Sequence, residues 1–444
     1  MSDPFDEVPA RVTPYVAMDA PNQPILVQAG PFRLAGAGEG TLESDLTFRW
    51  IPSTAVEFEG ISSLGRVDLD AEWTLNSDDP RFEIPVFVTS TTLFDTPTRV
   101  RGIIREPLKL GDGPFQVLRF SLANFPDYNG APVSYELGES RGAMRGRLQV
   151  SADAGECRVD LIPESKDSRK ATKREPGFVV SHVGEWLPSS GQMTTSQAED
   201  VLDMLHFWFG FLRGAWSGPL FPQGLVDRKV MWRRFAAWNL GDSRPVATWL
   251  PEHKPLDLSA MFTGFQARWN DQAWNDPLRL AIAWFVDANA PGTAIESRVI
   301  LAQVALELLA LVHLVETQQL HTRTAFDKLT AAERIRILLQ DIGVPTEIPD
   351  YMTNLPALRQ DAADDGPCVV TRVRNALVHQ KESKRAFVGS LDGATWYECT
   401  QLALQYVELV LLAVCGHEGH YARRAWRGVK GPDEVRVPWS KVGD

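Results

Sequence analysis

Gly366-Pro367-Cys368-Val369-Val370-Thr371-Arg372-Val373-Arg374-Asn375-Ala376-Leu377-Val378-His379 decides the reading of this chain. Gly-Pro opens a helix, because proline has no N–H to lose at the first helical position. At about 100° per residue, Val370, Val373 and Leu377 fall within roughly one 60° arc and form a core face. Thr371, Arg372, Asn375 and His379 fall on the far side, with Arg374 at its edge. Asn375 and His379 are then an i, i+4 pair on a polar face. A guanidinium, an amide and an imidazole would project together.

That grouping has a chemical use. Imidazole exchanges protons near neutrality. Guanidinium is permanently charged and matches phosphate oxygens in bidentate fashion. With RNA as substrate the 2′-hydroxyl is the nucleophile, so the chemistry calls for no metal and no cofactor.

Outward from this helix the chain is helical from residue 277 to about 415. Asp276-Pro277 predicts a helix start that buries Leu278, Ala281, Ile282 and Phe285. Thr293-Ala294-Ile295-Glu296 and Thr330-Ala331-Ala332-Glu333 read as capping boxes. The first opens a long apolar helix through about Glu316, central to a bundle. Gly343 and Pro345 end the second. Thr395-Trp396-Tyr397-Glu398 opens a last helix, which ends near Gly416.

A helical bundle carrying Arg374-Asn375…His379 resembles the HEPN superfamily, whose motif is Arg-polar-x(3–5)-His. The resemblance covers roughly residues 277–427 and is closest to bacterial anti-phage HEPN proteins of the ApeA kind. It implies a metal-independent endoribonuclease with Arg374 and His379 as the catalytic pair and Asn375 as their helper. It also implies a homodimer with two motifs across a cleft, and an N-terminal region that senses a phage or host trigger or restrains the nuclease. An acidic helper on a neighbouring helix would be Glu307. Members of the superfamily also serve as inactive interaction or dimerisation modules, so that alternative stands beside the nuclease.

Charge bears on where RNA would sit. The net charge is −12, with 45 basic and 57 acidic residues. Residues 1–276 hold 27 basic and 37 acidic residues, whereas residues 277–444 hold 18 and 20. Arg372, Lys381, Lys384 and Arg385 are the candidate RNA contacts around the motif. Residues 423–441 form a second basic segment, with Arg423, Arg424, Arg427, Lys430, Arg436 and Lys441. A shared positive surface on an otherwise acidic protein would suit RNA.

The rest of the chain frames this domain. Residues 1–182 read as β structure, a sandwich or partly closed barrel. The strand with the clearest alternation is Val67-Asp68-Leu69-Asp70-Ala71-Glu72-Trp73-Thr74-Leu75. Shorter runs are Leu118 to Leu122, Leu148 to Val150 and Val159 to Leu161. Glu164 to Glu175 reads as a solvated loop or linker. Residues 183–276 form a tryptophan-rich, mostly helical middle region in which Ser196 to Glu199 reads as a capping box. The fold class is α+β multidomain.

Four cysteines without a CxxC pair read as reduced core residues. The acidic, proline-rich start is not a secretory signal, and Val299 to Val315 is short for a membrane span. The chain is therefore expected to be cytoplasmic. His417-Glu418-Gly419-His420 lacks a metal-ligand spacing and reads as a loop. The phosphate-binding GxxxxGK[ST] loop, the dinucleotide fingerprint and the GxSxG elbow are absent.

Overall fold

The computed structural model describes residues 8–77, 82–92, 97–137, 140–251, 258–379, 381–424 and 434–440. Eight strands build a first antiparallel sheet: Ile25–Gln28, Phe32–Ala35, Glu39–Glu43, Leu46–Arg49, Ala55–Ser62, Trp73–Asn76, Glu83–Thr91 and Thr98–Ile104 (β1 to β8). Their order is β1-β4-β5-β3-β2-β6-β7-β8, and β5 also pairs with β8. That extra pairing closes the sheet into a barrel, which removes its edges there. Alternation sets the inside. In β7, Ile84, Val86 and Val88 point into the core while Phe87 is exposed.

The expected strand at 67–75 forms only at its end, in β6. Asp68 takes the upstream residues out of the ladder. Its carboxylate accepts the Asp70 N–H at 3.0 Å, and its carbonyl accepts the Trp73 indole N–H at 2.7 Å. A local side-chain bond of this kind competes with a ladder bond. Leu69, an inward residue in the alternating reading, is 49% exposed.

A second eight-stranded antiparallel sheet follows: Leu108–Gly111, Val117–Ala123, Ala131–Leu137, Ser140–Ala152, Gly155–Leu161, Val180–Pro188, Leu220–Val226 and Lys229–Phe235 (β9 to β16). Its order is β11-β12-β13-β14-β10-β15-β16-β9. This sheet crosses the expected domain boundary at 182, because β14 straddles it. The middle region also supplies β15 and β16 and is therefore mixed. Glu164 to Glu175 is not a free linker either. It holds a short helix, Lys166–Ala171 (α1), whose buried Ser168 bonds the Met18 carbonyl at 3.1 Å.

Helices Thr195–Arg213 (α2) and Ser259–Asn270 (α3) join this sheet to the bundle. The box at the start of α2 is Thr194 with Gln197, two residues before the expected one. Leu205, Trp208, Phe209 and Leu212, at the spacing of one helix face, are buried. Phe209 lies 5.8 Å from Phe120 on β10, and Trp208 lies 5.0 Å from Phe262 on α3. The tryptophans thus pack the sheet to the helices, and one apolar core runs from β10 into the bundle.

The bundle contains Asn275–Asn289 (α4), Ile295–Leu311 (α5), Arg323–Asp327 (α6), Ala331–Asp341 (α7), Gly366–Val378 (α8), Glu382–Ser390 (α9) and Gly393–Val414 (α10). A π-turn, Val312–Thr317, extends α5. The combined span Ile295–Thr317 is long enough to cross a membrane, and its most apolar 18 residues have mean hydropathy 2.0. It packs against α4, α7, α8 and α10, as a core helix does. The capping box at Thr330 and Glu333 forms, but the one at Thr293 does not. There Thr293 Oγ1 donates to the Asp287 carbonyl at 2.7 Å, and Ala294 is the N-cap. Asn275, not Pro277, opens α4.

Candidate functional site on helix α8

Helix α8 is held at its start by charge and close packing. Asp365 caps it, accepting the Cys368 N–H at 3.0 Å. The same carboxylate takes Arg336 of α7 through two bonds of 2.6 and 3.1 Å. A Cβ at Gly366 would stand 2.1 Å from the Tyr406 hydroxyl, so glycine lets α8 begin directly against α10. Val370 and Val373 are buried as expected, while Leu377 is half-buried. Thr371, expected on the polar face, is 6% exposed.

The motif residues are arranged as follows. Arg374 and Asn375 are half-buried, and Arg374 Nη1 donates to Asn375 Oδ1 at 3.2 Å. Arg374 Nε is buried without a hydrogen-bond partner. His379 is exposed and sits one residue past the helix, with φ −100° and ψ 90°. The i, i+4 relation of Asn375 and His379 therefore survives in the backbone only. The His379 N–H donates to the Asn375 carbonyl at 3.0 Å, while the Asn375 side chain serves Arg374. The exit from the helix swings the imidazole off the wheel position the spacing predicts.

The other expected contacts divide. Arg372 is an internal ion-pair partner, 2.5 Å from Asp364 and also bonded to the Leu358 carbonyl. It ties α8 to the preceding loop and is not free to meet RNA phosphates. Lys381 caps α9 and is exposed; Lys384 is half-buried and Arg385 exposed on α9. Glu307 accepts from Gln303 Nε2 at 2.9 Å and lies 3.8 Å from Arg334, so it looks toward α7.

The second basic segment divides: Arg436 is exposed, whereas Arg424 is not. Arg424 is buried and bound to Glu408 of α10. Arg423 lies over the Tyr351 ring at 5.2 Å. Arg427, Lys430 and Lys441 fall outside the described residues. His417 is buried against Trp249, and its Nε2 is 3.0 Å from the His420 carbonyl. Burial holds its imidazole below the usual pKa. His420 begins a small hairpin, His420–Ala422 with Glu434–Arg436 (β17 and β18).

Residues 271–432 match the family model described as the YopA C-terminal domain, and residues 111–245 the one described as the YopA central domain. The first span covers the bundle and the second most of the second sheet with α2. No solved structure matches. The HEPN likeness rests on the Arg374–His379 motif and the helical bundle, not on these matches. Over nearly its whole length the chain is similar to the "SPbeta prophage-derived uncharacterized protein YopA" of Bacillus subtilis (strain 168), at 24% identity over 431 residues, which are 94% of this chain and 95% of that one.

Proposed function

We propose that this chain is a HEPN-type, metal-independent endoribonuclease that acts as a homodimer in a phage-linked setting. The observation that carries the reading is the end of α8. A guanidinium anchored by Asn375 stands on a rigid helix, one turn before an exposed imidazole. His379 takes the proton of an RNA 2′-hydroxyl as its oxygen attacks the adjacent phosphorus. The bond to the 5′-oxygen breaks, and that oxygen leaves protonated from the acid form of the partner copy's imidazole. The products are a 2′,3′-cyclic phosphate and a 5′-hydroxyl. Arg374 balances the extra negative charge on the phosphorane-like transition state. Lys381 and Arg385, exposed beside the motif, supply positive charge for the flanking phosphates. The prophage origin of the YopA relative supports the phage-linked setting.

The test is cleavage of a single-stranded RNA by purified full-length protein in excess EDTA. His379→Ala is expected to lower the rate by about 10²–10⁴-fold with thermal melting unchanged. Equal cleavage by wild type and His379→Ala overturns the proposal. Partner capture indifferent to Arg374 and His379, with no cleavage, would point instead to an interaction module.

A further inference from the structure

The second sheet has two different faces. Leu118, Phe120 and Leu122 of β10 are buried in the core beneath α2. Strand alternation therefore turns Val117 and Arg119 to the opposite face. The register lines up Arg158, Glu185, Arg119, Gln223 and Arg233 in one row across β13, β14, β10, β15 and β16. Arg119 donates through Nε and Nη2 to Glu185 Oε1, at 2.9 and 2.6 Å. That pairing uses two of its three guanidinium nitrogens and one carboxylate oxygen.

The N-terminal segment straps one side of this face. Val12 N–H donates to Asp160 at 2.8 Å, and Arg147 donates to the Ala10 carbonyl at 2.9 Å. Arg147 and Asp160 are themselves a buried ion pair, so the strap is fixed at a rigid point. Between strap and sheet lies a cleft of about 610 Å³. Val117 and Leu225 form its apolar floor, Arg119 and Arg158 its charged wall, and Arg228 its rim. Asp227 and Arg228 make the turn between β15 and β16 with φ of +49° and +64°. Arg228 is exposed, with no acidic partner among the described residues.

We propose that this cleft binds a phosphorylated small ligand of mononucleotide size. Its volume falls within the roughly 300–1,000 Å³ typical of small-molecule sites. Arg228 brings a guanidinium with no acidic partner among the described residues, while Arg119 is paired with Glu185 and Arg158 with Glu156; planar donor sets of this kind match phosphate oxygens. The apolar floor suits a flat ring. Glu185 and Asp227 interrupt the positive wall, which disfavours the continuous track that a polyanion such as RNA needs. The site is independent of any chemistry at α8.

Titration calorimetry of the full-length chain tests this with AMP, GMP, CMP and UMP, their nucleosides, inorganic phosphate and a single-stranded oligonucleotide. At least one mononucleotide is expected to bind ten times or more tighter than its nucleoside. Arg228→Asn removes the rim charge with a residue that tolerates left-handed backbone. Both it and Arg158→Gln are expected to weaken that binding at least tenfold, with the melting of the unliganded protein unchanged. Three results overturn the proposal: no heat with any mononucleotide up to about 1 mM, affinity that survives both substitutions, or oligonucleotide affinity that rises with strand length at the same residues.

Discussion

Arg424 and Glu408 form a bidentate ion pair at 2.7 and 2.8 Å, with side chains only 1% and 0% exposed. Two charges with almost no water need every hydrogen bond satisfied. Arg424 Nη1 reaches Asn289 Oδ1 and Gln401 Oε1 at 3.0 and 3.1 Å, and its Nη2 reaches the Ala247 carbonyl at 3.3 Å. The pair therefore fastens three places at once: α10, the end of α4, and the irregular chain after β16. Asn289 strengthens the same joint by donating to the Gly214 and Ala247 carbonyls, both at 2.7 Å.

Glu408→Ala leaves a buried guanidinium uncompensated and is expected to cost about 3–5 kcal/mol. Replacing both partners, as Arg424→Met with Glu408→Leu, should recover part of that loss. It will not recover all, because Asn289 and Gln401 then lose their donor. Urea unfolding of the full chain measures both. A loss below about 1 kcal/mol for Glu408→Ala would show that the joint is not a stabilising contact.

Asp364 and Arg372 make a second pair, with each side chain 15% exposed. The guanidinium, with the Gln360 and Asp361 backbone N–H groups, holds the Asp364 carboxyl down at about 2. A depressed carboxylate stabilises the fold above its unfolded value, near 3.9, and that contribution fades as pH falls toward the folded value. The loop ahead of α8 should accordingly loosen between about pH 4 and 2. Asp364→Asn should lower melting at neutral pH, where the contribution is fully present, and variant and wild type should converge as pH falls toward 2. Hydrogen exchange in residues 358–372 over that range reads it. An identical acid profile in the variant would show that the pair does not report on this loop.

How legible these features are in the sequence differs by cause. The bundle is legible because apolar spacing and caps are local: Leu278, Ala281, Ile282 and Phe285 bury as their periodicity requires, and Thr330 with Glu333 makes the reciprocal cap. The motif helix is legible for the same reason. Its last residue is not, because leaving the helix at His379 depends on the chain turning back into α9. The failure at Val67–Glu72 has one named origin, the turn at Asp68, where alternation and side-chain chemistry disagree. Charge misleads most. Arg372 and Arg424 count as basic surface in a sum, yet each is an internal partner chosen by residues far along the chain or in a neighbouring loop. The arginine row on the second sheet needs strand pairing over more than a hundred residues before its members become neighbours.

The contact between Arg374 and Asn375 gives the last prediction, which rests on the nuclease reading. Asn375 touches the guanidinium through Oδ1 and reaches His379 only through its backbone carbonyl, so it acts as a positioning residue. Asn375→Ala frees Arg374 but keeps its charge. A hydrogen bond to a charged group is worth about 1.5–3 kcal/mol, so single-turnover cleavage should slow by roughly 10- to 100-fold, less than for His379→Ala. Asn375→Asp keeps an acceptor for Arg374 and adds negative charge where phosphate must bind. It should raise KM for RNA more than it lowers kcat, and the defect should grow milder at high salt as screening increases. Loss of activity equal to His379→Ala with unchanged melting would make Asn375 a catalytic group instead. Wild-type rates in both variants would remove it from the site.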